Sequence, residues 1–337
     1  MAHRILVTLG QASLEEAVVK GCTDEGVYLF RLNLSHAPLE SLARTIDQVR
    51  AWTDVPICLD SEGAQLRNGE MAGDGVAFSE GGTVRIHFEP ITGDAGNISF
   101  RPAQMARTFR VGDEIGVDFD HASLRVTETG EDHCLAVVVK SGFVGSRKAA
   151  DLTRDVEMDP LTEKDRNAVE IGRAAGIGHY ALSFTNKEAD VGLLRALTGP
   201  DTLILSKIES PAGVRNLEAI LGVVDEILID RGDLSRRVAI EKIPFLQRRI
   251  ISMARARGKP VYVATNLMES MVTTQMPNRA EVNDVVSTLE IGADGLVLAA
   301  ETAIGQYPVQ AVRMVRALID EFAKWTPNTS LSEIINL

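Results

Sequence analysis

Residues 202–233 read TLILSKIESPAGVRNLEAILGVVDEILIDRGD. Two short apolar runs flank a segment in which Val214, Leu217, Ile220, Leu221 and Val224 fall on one helical face. A strand, a helix and a second strand in that order make a parallel pair joined by a crossover. Both strands end in charge. Lys207 and Glu209, two residues apart, project from the same face of the first strand end, and Arg231 and Asp233 stand just beyond the second. Six further runs share this character: RILVTLG, VYLFRLNLSH, VPICLDSEG, HYALSFT, PVYVATN and LVLAAET. Most are separated by helix-length segments, and Val312, Val315, Leu318, Ile319 and Phe322 repeat the helical spacing near the C-terminus. Eight strands alternating with helices predict an α/β fold, a closed (β/α)8 TIM barrel.

The third and fourth runs lie much further apart than one crossover needs. Between them, TVRIHFEP, DEIGVDF, SLRVTE and LAVVVKSG alternate in a stretch rich in Gly, Asp and Thr. This predicts a small, β-barrel-like antiparallel domain inserted after the third strand and placed as a lid. The expected boundaries are 1–70 and 147–337 for the barrel and 71–146 for the insertion, with NTSLSEIINL as a short tail.

Composition narrows the function. The chain has 337 residues and a formal net charge of -12, which excludes a protein that coats nucleic acid through a basic face. Cys22, Cys58 and Cys134 have no metal-ligand spacing and read as free thiols in a reducing compartment. With no secretory leader and no apolar run of about 18 residues, the expected location is the cytoplasm, away from membranes. His179, Met268 and Met271 read as structural, and GFVGSRK lacks the spacing of a phosphate-binding loop.

In a (β/α)8 barrel, residues just past the strands converge at one mouth, where chemistry takes place. Here they are Arg31, Asn33, Ser35 and His36; Asp60, Ser61 and Arg67; Lys207 and Glu209; Arg231 and Asp233; Thr265 and Asn266; Glu301 and Thr302. Glu209 and Asp233 suit a hard cation, Mg2+ or Mn2+. The basic groups suit a phosphate or carboxylate, and Gly232 lets an oxyanion approach backbone amides. For the Lys207/Glu209 pair alone, charges that merely close a barrel end and charges that build a site are evenly matched readings, and convergence from many strands favours a site.

The motifs resemble those of the pyruvate kinase family. RLNLSH (31–36), LDSEGAQLRNG (59–69), GSRKAADL (145–152), LTEKD (161–165), SKIES (206–210), RGDL (231–234), ATNLMESM (264–271), NRAEVNDV (278–285) and GADGLVLAAETAIGQYP (292–308) occur in the family's order. The resemblance implies phosphoryl transfer from phosphoenolpyruvate to ADP, followed by protonation of the enolate. It implies that Lys207 and Arg31 act on the phosphoryl group and that Thr265 lies where the proton is delivered. Gly232, Asp233 and Thr265 would bind substrate, with Glu209 and Asp233 holding the divalent metal. Asn33, Ser35, Asp60 and Ser61 would hold K+, while His36, Arg67 and Lys164 would approach the nucleotide.

Departures gather on the nucleotide side. Gln11, Glu62, Ala64, Asn186 and Arg237 replace family residues, and Gln65 leaves a potassium requirement open. The expected protein is therefore a pyruvate-kinase-like phosphotransferase without the usual C-terminal regulatory domain, using ADP or a specialised acceptor. Two alternatives stand beside it: a metal-dependent lyase or aldolase acting on a 2-oxoacid or pyruvate enolate, and a non-catalytic metabolite-binding paralogue. Self-association is left open.

Overall fold

The computed structural model describes residues 3–118 and 121–336, so Phe119, at the end of DEIGVDF, lies outside it. The described chain divides into two compact units, one formed by residues up to Gly63 and from Pro160, the other by Ala64–Asp159.

The first unit is a closed parallel barrel of β1 (Arg4–Leu9), β2 (Leu29–Asn33), β3 (Ile57–Asp60), β4 (His179–Leu182), β5 (Leu203–Ile208), β6 (Glu226–Asp230), β7 (Val261–Ala264) and β8 (Gly295–Leu298). The ring closes where β1 pairs with β8, Arg4 opposite Gly295 and Val7 opposite Leu298. Alternate residues serve two cores, as the two-residue period of a strand requires. Leu6, Leu29, Cys58, Ala181, Leu205, Leu228, Tyr262 and Val297 fill the barrel. Ile5, Val7, Phe30, Leu59, Ile204, Ile227, Val263 and Leu296 pack outward with the helices. Burying each such Leu, Ile or Val contributes about 1.5–3 kcal/mol.

The helices carry their own start signals. Thr162 and Asp165 form a capping box at Glu163–Ala174, and Pro308 begins Pro308–Lys324, which buries Val312, Val315 and Ile319 as its spacing predicts. The helix expected over 212–225 is two short helices instead, Pro211–Arg215 and Leu217–Val223. They meet at Asn216, whose backbone leaves the helical region and whose side-chain amide donates to the Asn186 carbonyl at 2.7 Å. The tail contains a helix too, Leu331–Asn336.

Ionic groups close the N-terminal end of the barrel. Arg4 Nη1 donates to Glu226 Oε1 (3.0 Å) and to the Tyr262 hydroxyl (2.6 Å), while that hydroxyl donates to Glu226 (3.0 Å). The guanidinium also lies 4.1 Å from the centroid of the Tyr28 ring. His179 opens β4 with its pKa lowered, first by burial and then by the charge of Arg4. The fold thus favours the neutral imidazole. The stability this contributes is complete above the unfolded-state pKa and is lost as pH falls through the lowered folded value. Replacing His179 by Gln should flatten the fall in thermal stability below about pH 6.5; an unchanged slope in calorimetric melts would count against it.

The second unit is a separate closed barrel. Its strands run His133–Lys140, Thr83–His87, Asn97–Arg101, Leu66–Asn68, Ala149–Leu152, Glu114–Val117 and Ala122–Thr129 in spatial order. All pairings are antiparallel except Thr83–His87 with Asn97–Arg101. Val84, Ile86, Ile98, Phe100, Ile115, Leu124 and Ala136 are among the residues of its own core. The unit is wider than the expected 71–146 because Leu66–Asn68 and Ala149–Leu152 pair with each other and complete the ring.

Candidate active site

The C-terminal ends of β2 to β7 bring charged side chains together. On β2, Arg31 points Nη1 at Thr8 Oγ1 (3.2 Å) and bonds Asp60 through Nη2. Asp60, the last residue of β3, also faces Lys207 Nζ of β5 at 3.5 Å and accepts from Ser183 Oγ at 3.3 Å. Lys207 donates to Ser183 Oγ (3.0 Å) and lies 2.9 Å from Glu209 Oε1. Only 7% of the Lys207 side chain is exposed, and the carboxylates of Asp60 and Glu209 are fully covered.

Such burial makes each charge depend on its partners. For Asp60, burial opposes ionisation, yet Lys207 and Arg31 hold its pKa below the ordinary carboxylate value. For Lys207 and Arg31, burial opposes the charge, and Asp60 above all restores it, raising both pKa values. Burial pushes Glu209 up to about 8; Lys207 works against this, while Asp233 and Asp230 add to it. Within the Lys207–Glu209 pair the lysine charge is the firmer, since two carboxylates flank it, whereas Glu209 has one cation and two carboxylates beside it. A cation among these carboxylates would draw the Glu209 pKa back down.

Glu209, Asp230 and Asp233 each offer a carboxylate oxygen, and these oxygens lie within 4.8 Å of one another. An all-oxygen donor set of this kind fits Mg2+ or Mn2+. Glu209 Oε2 also accepts from Phe184 N at 2.6 Å. Asp233 Oδ1 accepts from Arg236 Nη1 at 3.0 Å, and the Arg236 side chain is nearly buried. Thr265 follows β7 with φ of 76°, and its hydroxyl donates to Asp230 Oδ1 at 2.6 Å. Gly232 lies against it: a Cβ there would come within 2.8 Å of Thr265 Cγ2.

Lys207, Arg31, Glu209, Asp233, Gly232 and Thr265 are thus brought together through Asp60 and Asp230. Asp230, Ser183 and Arg236 were not among the candidates. Asp230 was legible as the last residue of its strand run, but the partners of the other two become visible only in space. The residues expected around K+ are engaged locally: Asn33 Oδ1 accepts from Ser35 N (2.9 Å), Ser61 Oγ accepts from Ser183 N (2.9 Å), and Asp60 serves the cations just described. His36 is exposed. Lys164 bonds the Leu34 carbonyl and lies 3.1 Å from Glu62 Oε1. Arg67 belongs to the second unit and donates to the Arg147 carbonyl at 3.1 Å. Glu301 and Thr302, placed at the mouth from sequence, serve the backbone. Glu301 accepts from Met268 N (3.1 Å) and Ala299 N (2.9 Å), and Thr302 donates to the Thr8 carbonyl (2.8 Å).

The fold and its mouth define a (β/α)8 barrel with a charged site built from separate strand ends, interrupted after β3 by a small β-barrel. Residues 2–312 match the family description "Pyruvate kinase, barrel domain", and the chain belongs to the pyruvate kinase family. It is 33% identical over 324 residues to a pyruvate kinase of Methylorubrum extorquens, covering 94% of this chain and 68% of that protein. Against the human pyruvate kinase PKLR it is 33% identical, covering 94% of this chain and 59% of that one. The crystal structure of a pyruvate kinase from Cryptosporidium parvum superposes with a TM-score of 0.87 at 29% identity, covering 97% of this chain and 70% of that one.

Proposed function

We propose that the protein is a metal-dependent phosphotransferase that acts on phosphoenolpyruvate and pyruvate. The observation that carries this reading is the buried Arg31–Asp60–Lys207–Glu209 chain beside the carboxylates of Asp230 and Asp233. Lys207 and Arg31 would meet the phosphoryl oxygens, and Arg31 Nε, buried without a hydrogen-bond partner, is a donor awaiting an acceptor. Their fixed positive charge would stabilise a loose transition state mainly by positioning. Glu209 and Asp233 would hold Mg2+ or Mn2+, which when bound neutralises substrate oxyanions. Thr265 would face the substrate carbon, with Gly232 and Asp233 beside the carboxylate. Asn33, Ser35, Asp60 and Ser61 remain the proposed K+ group.

The acceptor is ADP or a specialised substitute, with His36, Arg67 and Lys164 as the proposed nucleotide contacts. The Glu62 carboxylate beside Lys164 favours keeping the substitute in view, since it offsets a cation that a diphosphate would need. The same geometry supports a lyase or aldolase acting on a 2-oxoacid, where Lys207 would bind a carboxylate. We place the protein in the cytoplasm, in keeping with three free, buried cysteines. Among the described residues no helix is long and apolar enough to cross a membrane.

The test follows phosphoenolpyruvate by 31P NMR with Mg2+, Mn2+ and K+, with and without ADP. ATP and pyruvate should appear only with ADP. Unchanged phosphoenolpyruvate would remove ADP as acceptor, and cleavage of a 2-oxoacid in its place would install the lyase reading.

A further inference from the structure

Thr265 is held more tightly than a loop threonine needs to be. A β-branched residue at positive φ is strained and persists only where its surroundings impose it. Here Arg231 donates through Nε to the Thr265 carbonyl at 3.1 Å, while its Nη1 is anchored on Asp284 at 2.7 Å. Gly232 leaves room for Thr265 Cγ2 and for no side chain of its own. The remaining freedom is rotation of the hydroxyl, and Asp230 removes it.

Asp230 Oδ1 accepts the Gly232 N–H at 3.1 Å, so that oxygen is an acceptor, and the Thr265 hydroxyl 2.6 Å from it is the donor. A hydroxyl has one proton and two lone pairs. With its proton spent on Asp230, Thr265 can offer a ligand only lone pairs. Capping the short helix Arg231–Ser235 does not account for this arrangement, because the Gly232 N–H alone satisfies the cap.

We infer that Asp230 is a positioning residue that makes Thr265 a hydrogen-bond acceptor, so that the site prefers a ligand presenting C–H or O–H there over one presenting an oxyanion. This rests on the 2-oxoacid reading of the site: a methyl or methylene carbon beside the carbonyl is matched to Thr265, and an oxygen in its place is opposed.

The test uses two probes, pyruvate and oxalate, which differ in having a methyl group or an oxygen at that point. Their dissociation constants are measured by calorimetry at saturating Mn2+, so that metal affinity cancels from the ratio. Asp230→Ala frees the hydroxyl to turn and donate to oxalate, and should shift the ratio about tenfold toward oxalate. Asp230→Asn retains Oδ1, and with it both hydrogen bonds, and should keep the wild-type ratio. In a Thr265→Val background, Asp230→Ala should have no further effect. An unchanged ratio in Asp230→Ala overturns the inference, as does an equal further shift when Asp230→Ala is added to Thr265→Val. A shift in Asp230→Asn matching that in Asp230→Ala would assign the effect to charge, and would equally overturn it. If Asp230→Ala does not fold, Thr265→Val decides, since without lone pairs the ratio must also move toward oxalate. Failure of the wild type to bind either probe would overturn the 2-oxoacid reading and this inference together, whereas loss of the ratio effect alone overturns only the inference.

Discussion

Lys207→Met is expected to lower phosphoenolpyruvate turnover by about 10³-fold, near the upper end of the loss seen when one well-placed electrostatic donor is removed. Methionine keeps the length of the side chain and removes its charge. Arg31 compensates only in part, because two of its three guanidinium nitrogens are engaged by Thr8 and Asp60. Asp60 keeps Arg31, but Glu209 loses its nearest cation and stays buried. Breaking a buried pair costs about 3–5 kcal/mol, so the variant should also melt earlier, and divalent cations should restore part of that loss by supplying charge to Glu209. Steady-state kinetics alongside thermal melts, with and without Mn2+, separate the two effects. Turnover within tenfold of wild type would remove Lys207 from the chemistry.

A comparable effect on stability should come from the opposite end of the barrel. Glu226→Ala leaves Arg4 and Tyr262 without their shared acceptor, and the Tyr262 side chain is fully buried. A loss of about 3 kcal/mol is expected, lowering Tm by roughly 10 °C for a unit of this size. Glu226→Gln keeps an acceptor oxygen and should lose less. Circular dichroism melts read both variants; a fall below about 3 °C for Glu226→Ala would show that the network contributes little.

The barrel was legible because its strands are short apolar runs, each bounded by turns or charge, and their order forces parallel pairing. The break at Asn216 was not, since Leu217, Ile220 and Leu221 keep the helical period across it and the reason for stopping lies at Asn186. The edges of the small barrel were missed because Leu66–Asn68 and Ala149–Leu152 are too short to show alternation and sit in stretches rich in charge. At the site, Lys207, Glu209, Asp233 and Thr265 could be read from their places at strand ends. That rule also brought in Glu301 and Thr302, whose side chains turn back to bond the backbone. It missed Ser183, which matters only because Lys207 and Asp60 reach it from other strands.

The ring is completed by β1 and β8, so Arg4 must find Gly295 across nearly the whole described chain. Contacts this distant in sequence are slow to form. During synthesis β1 has no partner on that flank until residues 295–298 have left the ribosome, and β7 lacks one as well. Until then both present bare strand edges that could pair with another molecule. The nascent protein is thus adhesive at two edges over the same interval, and cellular yield should depend on how quickly that last strand arrives and on what shields the two edges before it does.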